Sequence, residues 1–198
     1  MQEWLPALVW ADYRVAVLVM VSFPLALLIW AVFRRAEAVQ RLLIIYWRVA
    51  SLLAITVLLM IAALPISYLT SFLARVLIPI SLWFWVDLND EIDDLPNNSF
   101  KLTLTAWRWG ITAYSIVGAL FQITSLPCAL MTKDAILTNP ACRIWLDAPW
   151  GFKETFFANS GDTFLGFWGI VGLVIYVLYL GHFVMFRLGK QGRTAVIN

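Results

Sequence analysis

Five carboxylates crowd into eight positions of the stretch VDLNDEIDDLPNN: Asp87, Asp90, Glu91, Asp93 and Asp94. The expectation is that the apolar helix before them continues past Val86 as far as the stop set by Pro96; Asp87, Asp90, Glu91 and Asp94 then fall at i, i+3, i+4 and i+7 and share a face, while Asp93 points elsewhere. Carboxylates at a helix C-terminus oppose the macrodipole, and like charges at i+4 repel. Such a ridge calls for cations, and three sources offer themselves. The chain's own basic loops are the plainest, and the basic surface of a docking partner is the second. The third is a divalent ion on Asp90 and Asp93, because paired carboxylates are what Mg²⁺ uses when it carries a phosphate substrate.

Arg75 is a second centre, near the middle of an apolar run. An arginine at the bilayer centre costs ~2.5–3.5 kcal/mol on insertion scales and normally faces a partner or a cavity. No acidic residue falls inside the spans assigned below, so its counter-ion is expected to be a lipid phosphate, a cofactor, another subunit or the backbone. The alternative is a side chain that snorkels outward. His182, the only histidine, could ligate haem iron or the magnesium of a pigment; hydrogen-bonded packing is its ordinary role. A lone histidine excludes a His-rich metal site. Cys128 and Cys142 fall on the outer side of the topology below, in a compartment that permits a disulfide, although spacing alone does not establish the geometry of a bond. Gly166, Gly169 and Gly172 lie every third residue and form a smooth strip suited to close helix packing. No nucleophile elbow, phosphate-binding glycine loop or CxxC motif is present.

The elements that position these residues follow from composition. The chain of 198 residues is 62% hydrophobic and 13% charged, with a mean hydropathy of +0.83. Soluble domains carry about 25% charged residues. The expectation is an all-α, polytopic transmembrane helix bundle forming a single domain over 1–198. Open strands are excluded, since lipid leaves their backbone groups without partners. A net charge of +2 is too small to indicate nucleic acid. Glu3, Asp12 and the lack of a basic leader predict that the first span is an uncleaved anchor.

Charge-free runs predict spans at 15–33, 109–128 and 163–186. Between Leu42 and Val86 only Arg48 and Arg75 interrupt 45 apolar-rich positions, about twice what crosses a bilayer as one helix. Two spans at 43–64 and 66–86 fit, with the turn near Pro65. Five spans with the N-terminus outside and the C-terminus cytoplasmic place Arg34, Arg35, Arg41, Arg48, Lys101, Arg108, Arg187, Lys190 and Arg193 inside. Arg14, Lys133, Arg143 and Lys153 then lie outside, a positive-inside bias. Trp30, Trp47, Trp83, Trp85, Trp107 and Trp109 are expected near the inner boundary, and Trp4, Trp10 and Trp168 near the outer one, as interfacial anchors.

Two resemblances add to this reading. Asn89, Asp90 and Asp93 read N-D-x-x-D, which resembles the first acidic motif of the membrane prenyltransferases that attach polyprenyl tails to quinone rings or chlorophyllide. The resemblance implies that Asp90 and Asp93 hold Mg²⁺ and a diphosphate. The chain departs from that family at Asn97, where an aspartate is expected, in lacking the second acidic motif, and in having fewer spans. More broadly, the ending FLGFWGIVGLVIYVLYLGHFVMFRLGKQGR, with WFWVDLNDEIDDLP before it, looks like a family of membrane proteins of about 200 residues from cyanobacteria and plastids that has no assigned function. That resemblance implies a thylakoid or cytoplasmic membrane.

The resulting expectation is a non-enzymatic accessory subunit or assembly factor of a larger, photosynthetic membrane complex. Membrane lipids surround it, and its acidic cytoplasmic ridge (Asp87, Asp90, Glu91, Asp94) is the docking surface. The alternatives are a Mg²⁺-dependent prenyl or lipid-head-group transferase using Asp90 and Asp93, and a small anion carrier or channel using Arg75.

Overall fold

The structure, a computed structural model, describes residues 4–188 and 193–195. Glu3 and Lys190 lie outside the described residues, and the side chain of Arg187 is likewise not described. Every regular element is helical among the described residues. Five helices are long and apolar enough to cross a membrane: α1 (Trp4–Phe33), α2 (Glu37–Ile61), α3 (Ile66–Trp83), α5 (Ser99–Leu130) and α8 (Asp162–Phe186). Three shorter ones, α4 (Val86–Asp93), α6 (Lys133–Thr138) and α7 (Pro140–Phe156), lie between them in sequence.

Five spans match the expected number, but their bounds are wider than charge-free runs suggest. α1 begins at Trp4 rather than residue 15, so Asp12 and Arg14 are helical. α2 begins at Glu37 rather than 43 and carries Arg48 within it, and α5 begins at Ser99 rather than 109 and carries Lys101 and Arg108. Apart from Arg48, which the span at 43–64 already contained, these residues were expected in loops. The reason is that a helix continues past a charge wherever the side chain finds water or a partner, and hydropathy reports only where lipid is tolerated.

α2 is the central helix, packed against α1, α3, α7 and α8. Its contact with α1 has a local cause. Pro24 has no N–H to offer the carbonyl of Met20 four residues earlier. Tyr46 of α2, fully buried, donates its hydroxyl to that carbonyl at 2.5 Å, and α1 widens into a π-turn over Val17–Ser22. π-turns relieve such interruptions in an otherwise regular helix. The α2–α8 contact rests on the glycine strip: a Cβ at Gly166 would overlap that of Ala62, and one at Gly169 would meet Leu59 Cδ2 at 3.0 Å. Small residues thus let the two backbones approach, as in other membrane helix pairs.

Both tight turns use a left-handed residue that is not glycine. After α2, Ala63 has φ 53°. Its N–H donates to Met60 O at 2.9 Å and the N–H of Leu64 donates to Leu59 O at 3.0 Å. After α1, Arg35 repeats this arrangement with φ 53°, its N–H on Val32 O and that of Ala36 on Ala31 O. Both are Schellman closures, which satisfy carbonyls a helix end otherwise leaves open.

At one end of the bundle, α6 and α7 form a cap. Cys128, in the 3₁₀ tail of α5, is joined to Cys142 of α7 in a disulfide. Tyr68 donates to Cys142 O at 2.9 Å, and Trp150 donates to Ile61 O at the end of α2 at 3.1 Å. Val9, Ile136, Trp145 and Leu146 fill the space beneath. This segment, expected as an outer loop, is therefore folded onto the helix ends. The tryptophan belt divides in a similar way. Trp4, Trp30, Trp109 and Trp168 are exposed, but Trp85 and Trp107 are buried, and Trp107 donates to Val19 O at 3.0 Å.

Candidate functional site

The acidic cluster lies at the end opposite the disulfide, on α4. α3 does not continue through it, contrary to the expectation of one long helix. The chain turns extended at Trp85 (φ −87°, ψ 105°) and α4 starts anew. The side chains that hold this break are polar. Asn89 donates to Trp83 O at 3.2 Å and Arg108 to Leu82 O at 2.9 Å, so the last carbonyls of α3 are satisfied from outside the helix. Arg108, 3% exposed, also donates to Asn89 Oδ1, and its guanidinium stacks over Trp83 at 4.1 Å. Leu88 and Ile92 of α4 are fully buried beneath it.

The new helix changes what the carboxylates do. Asp87 sits in the first turn of α4, where a negative charge suits the dipole. It accepts from the N–H of Ala195 at 2.9 and 3.0 Å, and so tethers the C-terminal segment. At the other end, Lys101 Nζ donates to Asp93 O at 2.6 Å and Leu95 O at 3.0 Å. The cation that the C-terminus of this helix requires is thus supplied to its carbonyls. Asp90, Glu91, Asp93 and Asp94 are exposed, and none of the four pairs with a cation among the described residues. Asp94 lies at the C-cap rather than in the helix. No group of three or more His, Cys, Asp or Glu that could hold a metal ion occurs among the described residues.

Arg75 has a partner in the same chain, which corrects the expectation of an external counter-ion. It is 6% exposed, nine residues into α3, about 13 Å along the axis. Its guanidinium pairs with Asp12 of α1, itself 21% exposed, and lies 5.2 Å over the ring of Tyr114 of α5. Tyr114 donates to Asp12 O and Oδ1 at 2.8 and 2.6 Å. Gly118 completes the seat, because a Cβ there would overlap Arg75 Nη1. Three spans are joined through one ion pair, and side-chain charge is balanced inside the bundle. This arrangement tethers helices rather than exposing a cation to an anion.

His182, considered as a cofactor ligand, is exposed near the end of α8 and lies against Phe186 with ring centroids 5.1 Å apart. It lines a groove of about 700 Å³ between α2 and α8 with Arg48, Ser51 and Tyr179. Reading in sequence overlooked Arg48 and Tyr179 here, as it overlooked Asp12 and Tyr114 beside Arg75. The available signal was a charged or phenolic residue inside an apolar run. Which of them meet depends on how the helices are rotated about their axes.

No curated protein and no solved structure matches the chain. A family model does match, over residues 6–196, nearly the whole length, and it includes every centre described above. The chain belongs to the family described as "Protein of unknown function (DUF3177)".

Proposed function

We propose that the protein is a multi-pass membrane accessory subunit or assembly factor, whose α4 end is a docking surface for a basic partner. The observation that carries this reading is the contrast between its charges. Arg75, Asp12 and Arg108 are engaged inside the bundle, whereas Asp90, Glu91 and Asp94 remain exposed with no ion pair among the described residues. Exposed like charges on a rigid helix, seated by the buried Leu88 and Ile92, attract an oppositely charged surface and exclude others. We assign this end to the cytoplasmic side from the positive-inside bias, and a thylakoid or cytoplasmic membrane as the setting. An anion carrier built on Arg75 has less support, because Asp12 neutralises that cation.

Purification in mild detergent, with native gels and mass spectrometry of co-purifying proteins, tests the reading. Wild type is expected to migrate in a complex. The triple change Asp90→Lys, Glu91→Lys, Asp94→Lys is expected to release the partner without unfolding the chain, since all three side chains are exposed. Migration of wild type as a lone species, or unchanged association of the triple variant, overturns the proposal.

A further inference from the structure

The groove between α2 and α8 has a polar mouth and an apolar floor, and neither belongs to the docking surface proposed above. Arg48 projects at the mouth, exposed, and its Nη1 donates to Tyr179 Oη at 3.1 Å. That partner is neutral, and among the described residues no carboxylate lines the groove or pairs with Arg48. By accepting from Arg48, the Tyr179 hydroxyl keeps its own proton free to donate. His182, three residues further along α8, lines the same groove. Ile55 and Gly172 form the apolar floor, where a Cβ on Gly172 would meet Ile55 at 3.2 Å, so the helices close together there, and exposed Ile175 flanks it.

We propose that this groove binds the phosphate-bearing headgroup of an anionic membrane lipid, with Arg48 as the anion contact, Tyr179 and His182 as supporting donors, and an acyl chain along the floor. A guanidinium offers five N–H donors in a fork that matches phosphate oxygens, and one bond to a phenol leaves most of them unused. Depth agrees with this assignment. Tyr179 is 17 residues beyond the start of α8 at Asp162, about 25 Å along a helix that crosses ~30 Å of hydrocarbon. The mouth therefore opens near one headgroup layer, and a long arginine side chain reaches that layer by snorkelling. Free inorganic phosphate presents the same anion but would leave the apolar floor uncovered, so the lipid is the occupant chosen.

Native mass spectrometry of the full chain in mild detergent, with dioleoyl phosphatidylglycerol or dioleoyl phosphatidylcholine added at equal concentration, tests this. Wild type is expected to retain the phosphatidylglycerol at about tenfold lower lipid concentration, the scale of one charge-assisted hydrogen-bond set. Arg48→Gln is expected to abolish that preference. Tyr179→Phe, which keeps the cation, is expected to weaken it a few-fold. Arg41→Gln should leave it intact, because Arg41 is an exposed residue already paired with Glu37. A parallel thermal-shift series uses inorganic phosphate alone, which should stabilise the protein far less than the lipid does. Equal retention of the two lipids by wild type needs no variant and overturns the proposal. An unchanged preference in Arg48→Gln, or equal stabilisation by inorganic phosphate and lipid, overturns it as well.

Discussion

Replacing Asp12 by Asn tests whether one ion pair ties α1 to α3 and α5. The substitution keeps the shape and an acceptor oxygen, so Tyr114 retains its bond to the backbone carbonyl of Asp12 at 2.8 Å. What it removes is the charge facing Arg75, which at 6% exposure has little access to water. Breaking a fully buried pair by deleting one partner costs about 3–5 kcal/mol. Asp12 is 21% exposed and the amide still accepts a neutral hydrogen bond, so the expected loss is nearer that of a charged hydrogen bond, about 1.5–3 kcal/mol. The orphaned cation dominates this cost, and adding Arg75→Met removes it. The double variant is therefore expected to be more stable than Asp12→Asn alone, with a coupling of about 1–3 kcal/mol. The assay is reversible unfolding by sodium dodecyl sulfate titration in bicelles, followed by tryptophan fluorescence. Additive losses in the double variant would refute the claim that these side chains balance each other.

Gly118→Ala should be destabilising in wild type, because the new Cβ displaces the Arg75 guanidinium from its seat; in an Arg75→Ala background the same change should be nearly neutral, as unfolding titrations of the four species will show. Gly166→Val places side-chain atoms where Ala62 already stands, so cysteine cross-linking between α2 and α8 should fall and stability should drop by about 1–3 kcal/mol. Cys142→Ser opens a loop of sequence separation 14 and should cost about 3 kcal/mol, with wild type alone shifting on gels when reduced. Burial pushes the Asp147 carboxyl above its ordinary value, and Arg143 opposes that shift. Its stabilising contribution is therefore present below the ordinary carboxylate value and lost as pH rises through the raised folded-state value. Asp147→Asn should flatten that part of the stability–pH curve.

Composition and hydropathy carry the class of the protein, and they do so for a physical reason. The bilayer imposes one rule, that apolar helices of about 20 residues satisfy their own backbone, and the rule is local enough to be read along the chain. The number of spans, the turn near Pro65 and the close-packing role of Gly166 and Gly169 all follow from it. Boundaries were less legible. Arg14 and Arg108 looked like markers of helix ends, yet both lie inside helices: Arg14 is exposed, and Arg108 finds tertiary partners.

The acidic stretch shows where local reasoning stops. Its five carboxylates and the proline after them are visible in the residues alone, and they fix a charged segment next to a membrane boundary. Whether α3 runs into that segment depends on Asn89 and Arg108 reaching the carbonyls of Trp83 and Leu82, contacts made between residues 6 and 26 positions apart. Asp87 is diverted to Ala195, 108 positions away, and the other four are left facing outward. Arg75 follows the same logic: its place in an apolar helix was legible, but outward snorkelling was as open a reading as burial, and the side chain is buried on a partner that lies 63 positions earlier, in a helix whose rotation is set by packing. Periodicity along one helix says which residues share a face. Which face meets which neighbour is a property of the assembled bundle, settled by the glycine contacts, the Tyr46 bond to α1 and the disulfide cap together.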